Sequence, residues 1–289
     1  MATEPSARRL RPLAPIPTAL APSGALRQKV GGILFDIYGT LFISASGDIG
    51  TARRGSPQGA ELAELLARFG VREAPEAVLD RFFEAIAAHH RRQQALGVGH
   101  PEVVIDRIWR SVLNWGSREK ARDFAVAFEL IANPVYPMPG LAQTLGSLKA
   151  AGLRLGLISN AQFFTPLLFT WFLDADTSAL GFDPELVFYS YRCGLAKPSL
   201  RLFEAAAAAC RRKGLAPAGV LYVGNDVRND VRPAQQTGFQ TALFAGDRRS
   251  LRLREDDRAC RGVRPDLVIT HLPQLIDRCL ASDAGRHAG

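Results

Sequence analysis

Four places in this chain set a reactive side chain at the end of a short apolar run. Asp36 follows Val30-Gly31-Gly32-Ile33-Leu34-Phe35 and precedes the turn residues Gly39-Thr40; Ser159-Asn160 follow Leu155-Gly156-Leu157-Ile158. Lys197-Pro198 lie just beyond Leu186-Val187-Phe188-Tyr189-Ser190, and Asp226 and Asp230 follow Val220-Leu221-Tyr222-Val223-Gly224. A carboxylate, a hydroxyl, an ammonium and an acidic pair are the parts of a displacement reaction. The carboxylate can attack an electrophile and divide one hard step into two, while the ammonium and hydroxyl stabilise the charge that develops. Two or three carboxylates and a backbone carbonyl suit a hard cation such as Mg2+, which keeps several waters. Each group also has a plainer use. Asp36 can cap the turn at Gly39-Thr40, Ser159-Asn160 can open a helix, Lys197 can be surface charge, and Asp226 and Asp230 can cap and charge a helix starting near Asn229.

The elements that must position these groups follow from the same pattern. Short apolar runs bounded by turn residues read as inner strands of a parallel sheet, and ligands of such sheets bind beyond the carboxyl ends of the strands. After the break at Pro137-Met138-Pro139-Gly140, strands at 153–158, 186–190, 219–224, 239–244 and 267–270 alternate with helices at 140–151, 161–173, 199–213, 230–237 and 272–281. That alternation predicts an α/β fold with a Rossmann-like, doubly wound parallel sheet. Between Ser56 and Asn133 only helical periodicity occurs. One helix opens at Ser56-Pro57, with Leu62, Leu65, Leu66 and Phe69 on one face. A second runs from Pro75 to Leu96, and two more cover Pro101–Trp115 and Ser117–Ala132. Such a block cannot belong to the sheet, so the chain divides into an α/β core (29–43 and 136–283), an inserted all-α domain (44–135) and tails at 1–28 and 284–289. The first tail is rich in Pro, Ala and Arg without periodicity, the pattern of a disordered segment.

In order and spacing, from residue 30 to about 245, the four motifs resemble those of the haloacid-dehalogenase-like hydrolase superfamily. The resemblance implies that Asp36 is the nucleophile, with Lys197 and Ser159 as its catalytic partners. It implies a phosphate pocket of Tyr38, Gly39, Thr40, Ser159, Asn160 and Lys197, and Mg2+ held by Asp36, the Tyr38 carbonyl, Asp226 and Asp230. The helical insert becomes a cap whose closure excludes water and selects substrate. Tyr38 departs from the phosphatase pattern, which has a second aspartate there as general acid and base. A phenol of ordinary pKa near 10 cannot act as a base at neutral pH. Asp36-Ile37-Tyr38-Gly39-Thr40-Leu41-Phe42 looks instead like the first motif of the 2-haloacid dehalogenases, which attack carbon without a metal, whereas the acidic pair at 226 and 230 is phosphatase-like. The expected activity is therefore a Mg-dependent phosphatase of a small phosphorylated metabolite. The alternatives are a 2-haloacid dehalogenase and a phosphate-pocket binding protein with little turnover.

Composition bounds the rest. The net charge of +8 invites a nucleic-acid partner, but the excess is scattered arginine, with no basic stripe interleaved with aromatics. Cys193, Cys210, Cys260 and Cys279 form no C-x-x-C pair and read as free thiols of a reducing cytoplasm; Cys193 lies near Lys197. No apolar run approaches the roughly 18 residues that a membrane helix requires. Trp109, Trp115 and Trp171 read as core, His89-His90-Arg91-Arg92 as a polar helix face that could replace the missing acid, and the Arg-rich stretch 246–265 as a solvated loop.

Overall fold

The computed structural model describes residues 12–45 and 58–280. Its strands are β1 (Ser23–Gly24), β2 (Gly32–Phe35), β3 (Phe42–Ser44), β4 (Val135–Pro137), β5 (Arg154–Ser159), β6 (Phe182–Tyr189), β7 (Val220–Gly224), β8 (Gln240–Phe244) and β9 (Leu267–Ile269). Its helices are α1 (Gln58–Arg68), α2 (Pro75–Ala95), α3 (Ile105–Val112), α4 (Arg118–Ala132), α5 (Leu141–Ala150), α6 (Leu167–Leu173), α7 (Ser190–Cys193), α8 (Leu200–Arg212), α9 (Arg232–Gln236) and α10 (Gln274–Leu280). Among the described residues, seven strands form one sheet in the order β1-β9-β8-β7-β2-β5-β6. All neighbours run parallel except β1 against β9. β2 lies between β5 and β7, which brings Asp36 and Ser159 to one edge with the end of β7. The strands read as continuous apolar runs because both faces are covered: Ile33, Phe35, Leu155 and Val223 pack into one cluster, and Leu34, Ile158 and Tyr222 into another.

Helices α1 to α4 pack as a block with its own core. Trp109 stacks on Phe82 with ring centroids 4.0 Å apart and meets Phe124 and Phe128 edge-on. Burying each phenylalanine of this cluster stabilises the block by roughly 1.5–3 kcal/mol. Trp115 and Trp171 are only partly buried but pack against this core. Chain entry and exit are side by side, because β3 and β4 form a two-stranded antiparallel ribbon, Ser44 opposite Val135. A second contact joins the block to the sheet at 100–105: Glu102 accepts from the Ser190 hydroxyl (2.7 Å), and Gln162 bonds both Val103 and Ile105.

Three expectations change. Residues 12–28 are not a free tail, since β1 pairs with β9, Arg27 bonds Asp266 (2.8 Å), and Ile16 exchanges bonds with Asp247 and Arg248. The helix expected at 161–173 begins only at Leu167, because the Gln162–Thr165 turn and Pro166, which lacks an N–H, delay it. In place of a helix from 230 to 237, one wide π-type turn covers Val227–Val231 before α9. The helix start at Ser56-Pro57 and the tail at 284–289 lie outside the described residues.

Candidate active site

The three strand ends and the Lys197 loop converge. The Asp36 amide donates to the Val223 carbonyl (2.9 Å), which fixes the turn out of β2 against β7. Lys197 Nζ lies 2.7 Å from Asp36 Oδ1 and 2.6 Å from Asp230 Oδ1. Tyr222, buried in β7, donates its hydroxyl to the same Asp230 oxygen (2.9 Å) and accepts from Lys197 Nζ (3.3 Å). The other Asp230 oxygen accepts from the amides of Asn225 (3.0 Å) and Asp226 (2.9 Å). Position 224 must be glycine, since a Cβ there would lie 2.4 Å from Asp230 Cγ. Asn160 aims the lysine from below, its side-chain carbonyl accepting from the Lys197 amide (2.7 Å). Asp36, Lys197 and Asp230 are all buried. Burial alone would lower the Lys197 pKa, but Asp230 and then Asp36 more than offset it and hold the ammonium above its ordinary value. Burial also raises the Asp230 pKa, opposed by Lys197 and reinforced by Asp36 and Asp226.

Ser159 is at the end of β5, fully buried, and its hydroxyl has no hydrogen-bond partner. A buried hydroxyl without a partner costs about 1–3 kcal/mol unless a ligand satisfies it. Gly39 turns the chain at φ +80°, and a Cβ there would lie 2.5 Å from Ser250 Cβ. Thr40 donates to the Asn225 side chain (3.2 Å).

The side of the site toward the helical block differs in kind. Tyr38 Oη lies 3.0 Å from Thr165 Oγ1. Burial, and then the negative charge of Glu129, hold its pKa well above 10, so it is a neutral phenol and not a base. Glu129, in the last turn of α4, is pushed by burial up to about 7 despite the amide of Asn133 on its Oε1 (3.2 Å).

The family model for haloacid dehalogenase-like hydrolases matches residues 30–238. This chain belongs to that family. It is 31% identical over 144 residues to the glyceraldehyde 3-phosphate phosphatase of Methanocaldococcus jannaschii, covering 49% of this chain and 55% of that protein. The chain thus spans about half the length of that curated relative. It is 25% identical to the glyceraldehyde 3-phosphate phosphatase of Methanopyrus kandleri over 88% of this chain and 100% of that protein. The 2-haloacid dehalogenase of Pseudomonas syringae pv. tomato DC3000 superposes with a TM-score of 0.55 at 22% identity, over 88% of this chain and 99% of that one. At that identity the likeness shows the shared fold.

Phosphatases of the family generally use Mg2+, and the donor set can be tested for it. Asp226, expected as a ligand, has both oxygens engaged. Oδ1 accepts from the amides of Arg228 (2.9 Å) and Asn229 (3.2 Å), while Oδ2 accepts from the Asn229 side chain (3.0 Å) and pairs with Arg254 Nη2 (2.6 Å). It caps the wide turn, the plainer of its two readings. Asp230 is spent on Lys197, Tyr222 and two amides, and Asn225 on Thr40 and the Ser250 carbonyl (2.6 Å). Among the described residues no three His, Cys, Asp or Glu side chains are grouped to hold a metal. The expected ligand set of Asp36, Tyr38, Asp226 and Asp230 therefore does not fit Mg2+ as it stands. An ammonium takes the cation's place between 36 and 230, and a guanidinium sits on 226.

Within 246–265 the first half is not a solvated loop, while most of 255–264 is exposed. Asp247 and Ser250 are buried, Arg252 exchanges backbone bonds with Asn225 and Val227 (both 2.9 Å), and Arg254 reaches Asp226. All four cysteines are free, Cys193 exposed and the other three buried; partial desolvation raises the Cys193 pKa. Tyr222, Arg254, Thr165 and Glu129 escaped sequence reasoning. Tyr222 reads as one more apolar strand residue, Thr165 as one polar residue of an expected helix, and Arg254 and Glu129 belong to segments far along the chain from the four motifs.

Proposed function

We propose that this chain hydrolyses a phosphate monoester of a small metabolite, with Asp36 as the nucleophile that carries the phosphoryl group. The observation that carries the reading is the unpartnered Ser159 hydroxyl at the same sheet edge as the Asp36–Lys197 pair. A phosphoryl oxygen accepts from such a donor. The names of the curated relatives support the substrate class.

In the first half-reaction Asp36 attacks phosphorus through the oxygen that does not face Lys197, and the P–O bond to the alcohol breaks. Lys197 holds the nucleophile in place and neutralises charge on the transferring group. In the second half-reaction water attacks phosphorus and frees Asp36. Tyr38, Gly39, Thr40 and Asn160 line or brace the pocket, and the helical block closes over it as a cap. No step runs through Mg2+, because the carboxylates that would hold it are already compensated. The four free thiols fit a reducing cytoplasmic setting, and no helix among the described residues is long and apolar enough to cross a membrane.

The closed acidic site and Tyr38 also favour a second reading, metal-free displacement of halide from a 2-haloacid by the same Asp36. One assay separates them. The purified chain is given an aryl phosphate and, in parallel, short 2-haloacids, with Mg2+ and with chelator. Phosphate release without halide release is the expected result, and its response to chelator shows whether the chain uses Mg2+. Halide release alone establishes the second reading. Tight phosphate binding with neither activity shows a binding protein and overturns both.

A further inference from the structure

We propose that Glu129, reaching in from the helical block, is the general acid and base that position 38 lacks. The inference rests on the phosphatase reading and assigns its proton transfers. In the first half-reaction the Asp36 oxygen forms its bond to phosphorus while the bond to the alcohol oxygen breaks. The departing oxygen takes the proton of the Glu129 carboxylic acid, leaving a carboxylate. In the second, that carboxylate removes a proton from the attacking water, the Asp36–phosphorus bond breaks, and Glu129 is an acid again. Protons and charge balance over the cycle, and only water is consumed.

The geometry comes from the stem of the insert. β3 begins four residues after Tyr38, and β4 begins three residues after α4 ends. The pairing of these strands, Phe42 opposite Pro137 and Ser44 opposite Val135, ties the chain that leaves α4 to the strand that follows the Tyr38 turn. A side-chain chain fixes it further, with Ser44 Oγ donating to Asn133 Oδ1 (2.8 Å) and Asn133 Nδ2 donating to Glu129 Oε1 (3.2 Å). No hydrogen bond binds Glu129 Oε2 among the described residues, and Glu129 takes part in no ion pair with a described residue. Its carboxyl is thus half-anchored, with one oxygen held and the other available to move a proton. Thr165, whose hydroxyl lies 3.0 Å from Tyr38 Oη, follows Phe164, which packs in one cluster with Phe128 and Leu130 on either side of Glu129, so the 164–165 segment bridges the phenol and the last turn of α4; the negative charge of Glu129 is felt at the phenol. Asn133, just beyond the end of α4, braces Glu129. A carboxyl poised near 7 can both give and take a proton at neutral pH, the condition for an efficient acid and base. The histidine pair on α2 is a weaker substitute. The His90 pKa is lowered by burial and by His89, which favours a neutral imidazole.

The test uses two phosphate monoesters, one with a good leaving group (4-nitrophenyl) and one with a poor one (an alkyl alcohol). Glu129→Gln is expected to lower kcat/KM for the alkyl ester by about 10²-fold or more, and for the nitrophenyl ester far less, since a stable phenolate needs little protonation. A purely structural role would lower both alike. Tyr38→Asp in the Glu129→Gln background supplies a carboxyl from the sheet side and is expected to restore the alkyl ester rate. Equal losses on the two esters, or no loss, overturn the assignment while leaving the phosphatase reading intact. Absence of phosphate release by the unmodified chain from either ester overturns both.

Discussion

The two sides of the site are compensated in opposite ways. On the sheet side every carboxylate meets a fixed cation: Asp36 and Asp230 share Lys197, and Asp226 takes Arg254. On the helical side Glu129 has only an amide on one oxygen, and its proton is held up to about 7. Fixed cations hold a carboxylate in place. An unpaired carboxyl in a buried setting keeps a proton that it can lose. On the proposed mechanism the difference is a division of labour, with bond making at the end of β2 and proton handling on the helical block.

The largest effect should come from breaking the sheet side. Asp36→Asn removes the attacking oxygen and is expected to abolish phosphate release, a loss of at least about 10³-fold, read by malachite-green assay. Lys197→Met should come next, because it strands two buried carboxylates. A cost of about 3–5 kcal/mol is expected in urea denaturation, with part of it recovered when Asp230→Asn is added.

The helical side should break differently, through pH. Folded Glu129 holds its proton up to about 7, against an ordinary value of 4.5. The folded state therefore binds more protons across that window, and stability falls as pH rises through it. Glu129→Gln cannot ionise, so its melting temperature should gain on the unmodified chain between pH 4.5 and 7 and hold that gain above. The smallest effect is expected from Arg254→Met. Its pair with Asp226 is partly solvent-exposed and Asp226 keeps its amide donors, so roughly 1 kcal/mol is lost.

The sheet side is also the part that the sequence revealed best. Asp36, Ser159 and Lys197 each follow an apolar run, and strand periodicity alone brings such positions to one edge. The cover over Asp226 has no trace in the sequence, because local spacing cannot show that an arginine 28 residues later will pair with it. The same blindness hid the docking of 247–254, within a stretch whose Arg-rich composition is that of a solvated loop. Its contacts are backbone bonds to Asn225 and Val227 and buried side chains at 247 and 250, none of which leaves a periodic trace. The segment 12–28 misled for a similar reason, since two paired residues and an Arg27–Asp266 bond anchor it without any apolar pattern. Glu129 sits on a helix whose neighbours Phe128 and Leu130 read as core, so nothing in the pattern marks it as different.

If Asp36 carries the phosphoryl group between two half-reactions, rapid acid quench of the chain turning over an aryl phosphate, followed by proteolysis and mass spectrometry, traps the adduct. A phosphorylated peptide containing Asp36 is expected, richer in Glu129→Gln, where water attack is slowed, and missing in Asp36→Asn. Phosphate release without that adduct, or an adduct on another residue, would contradict it.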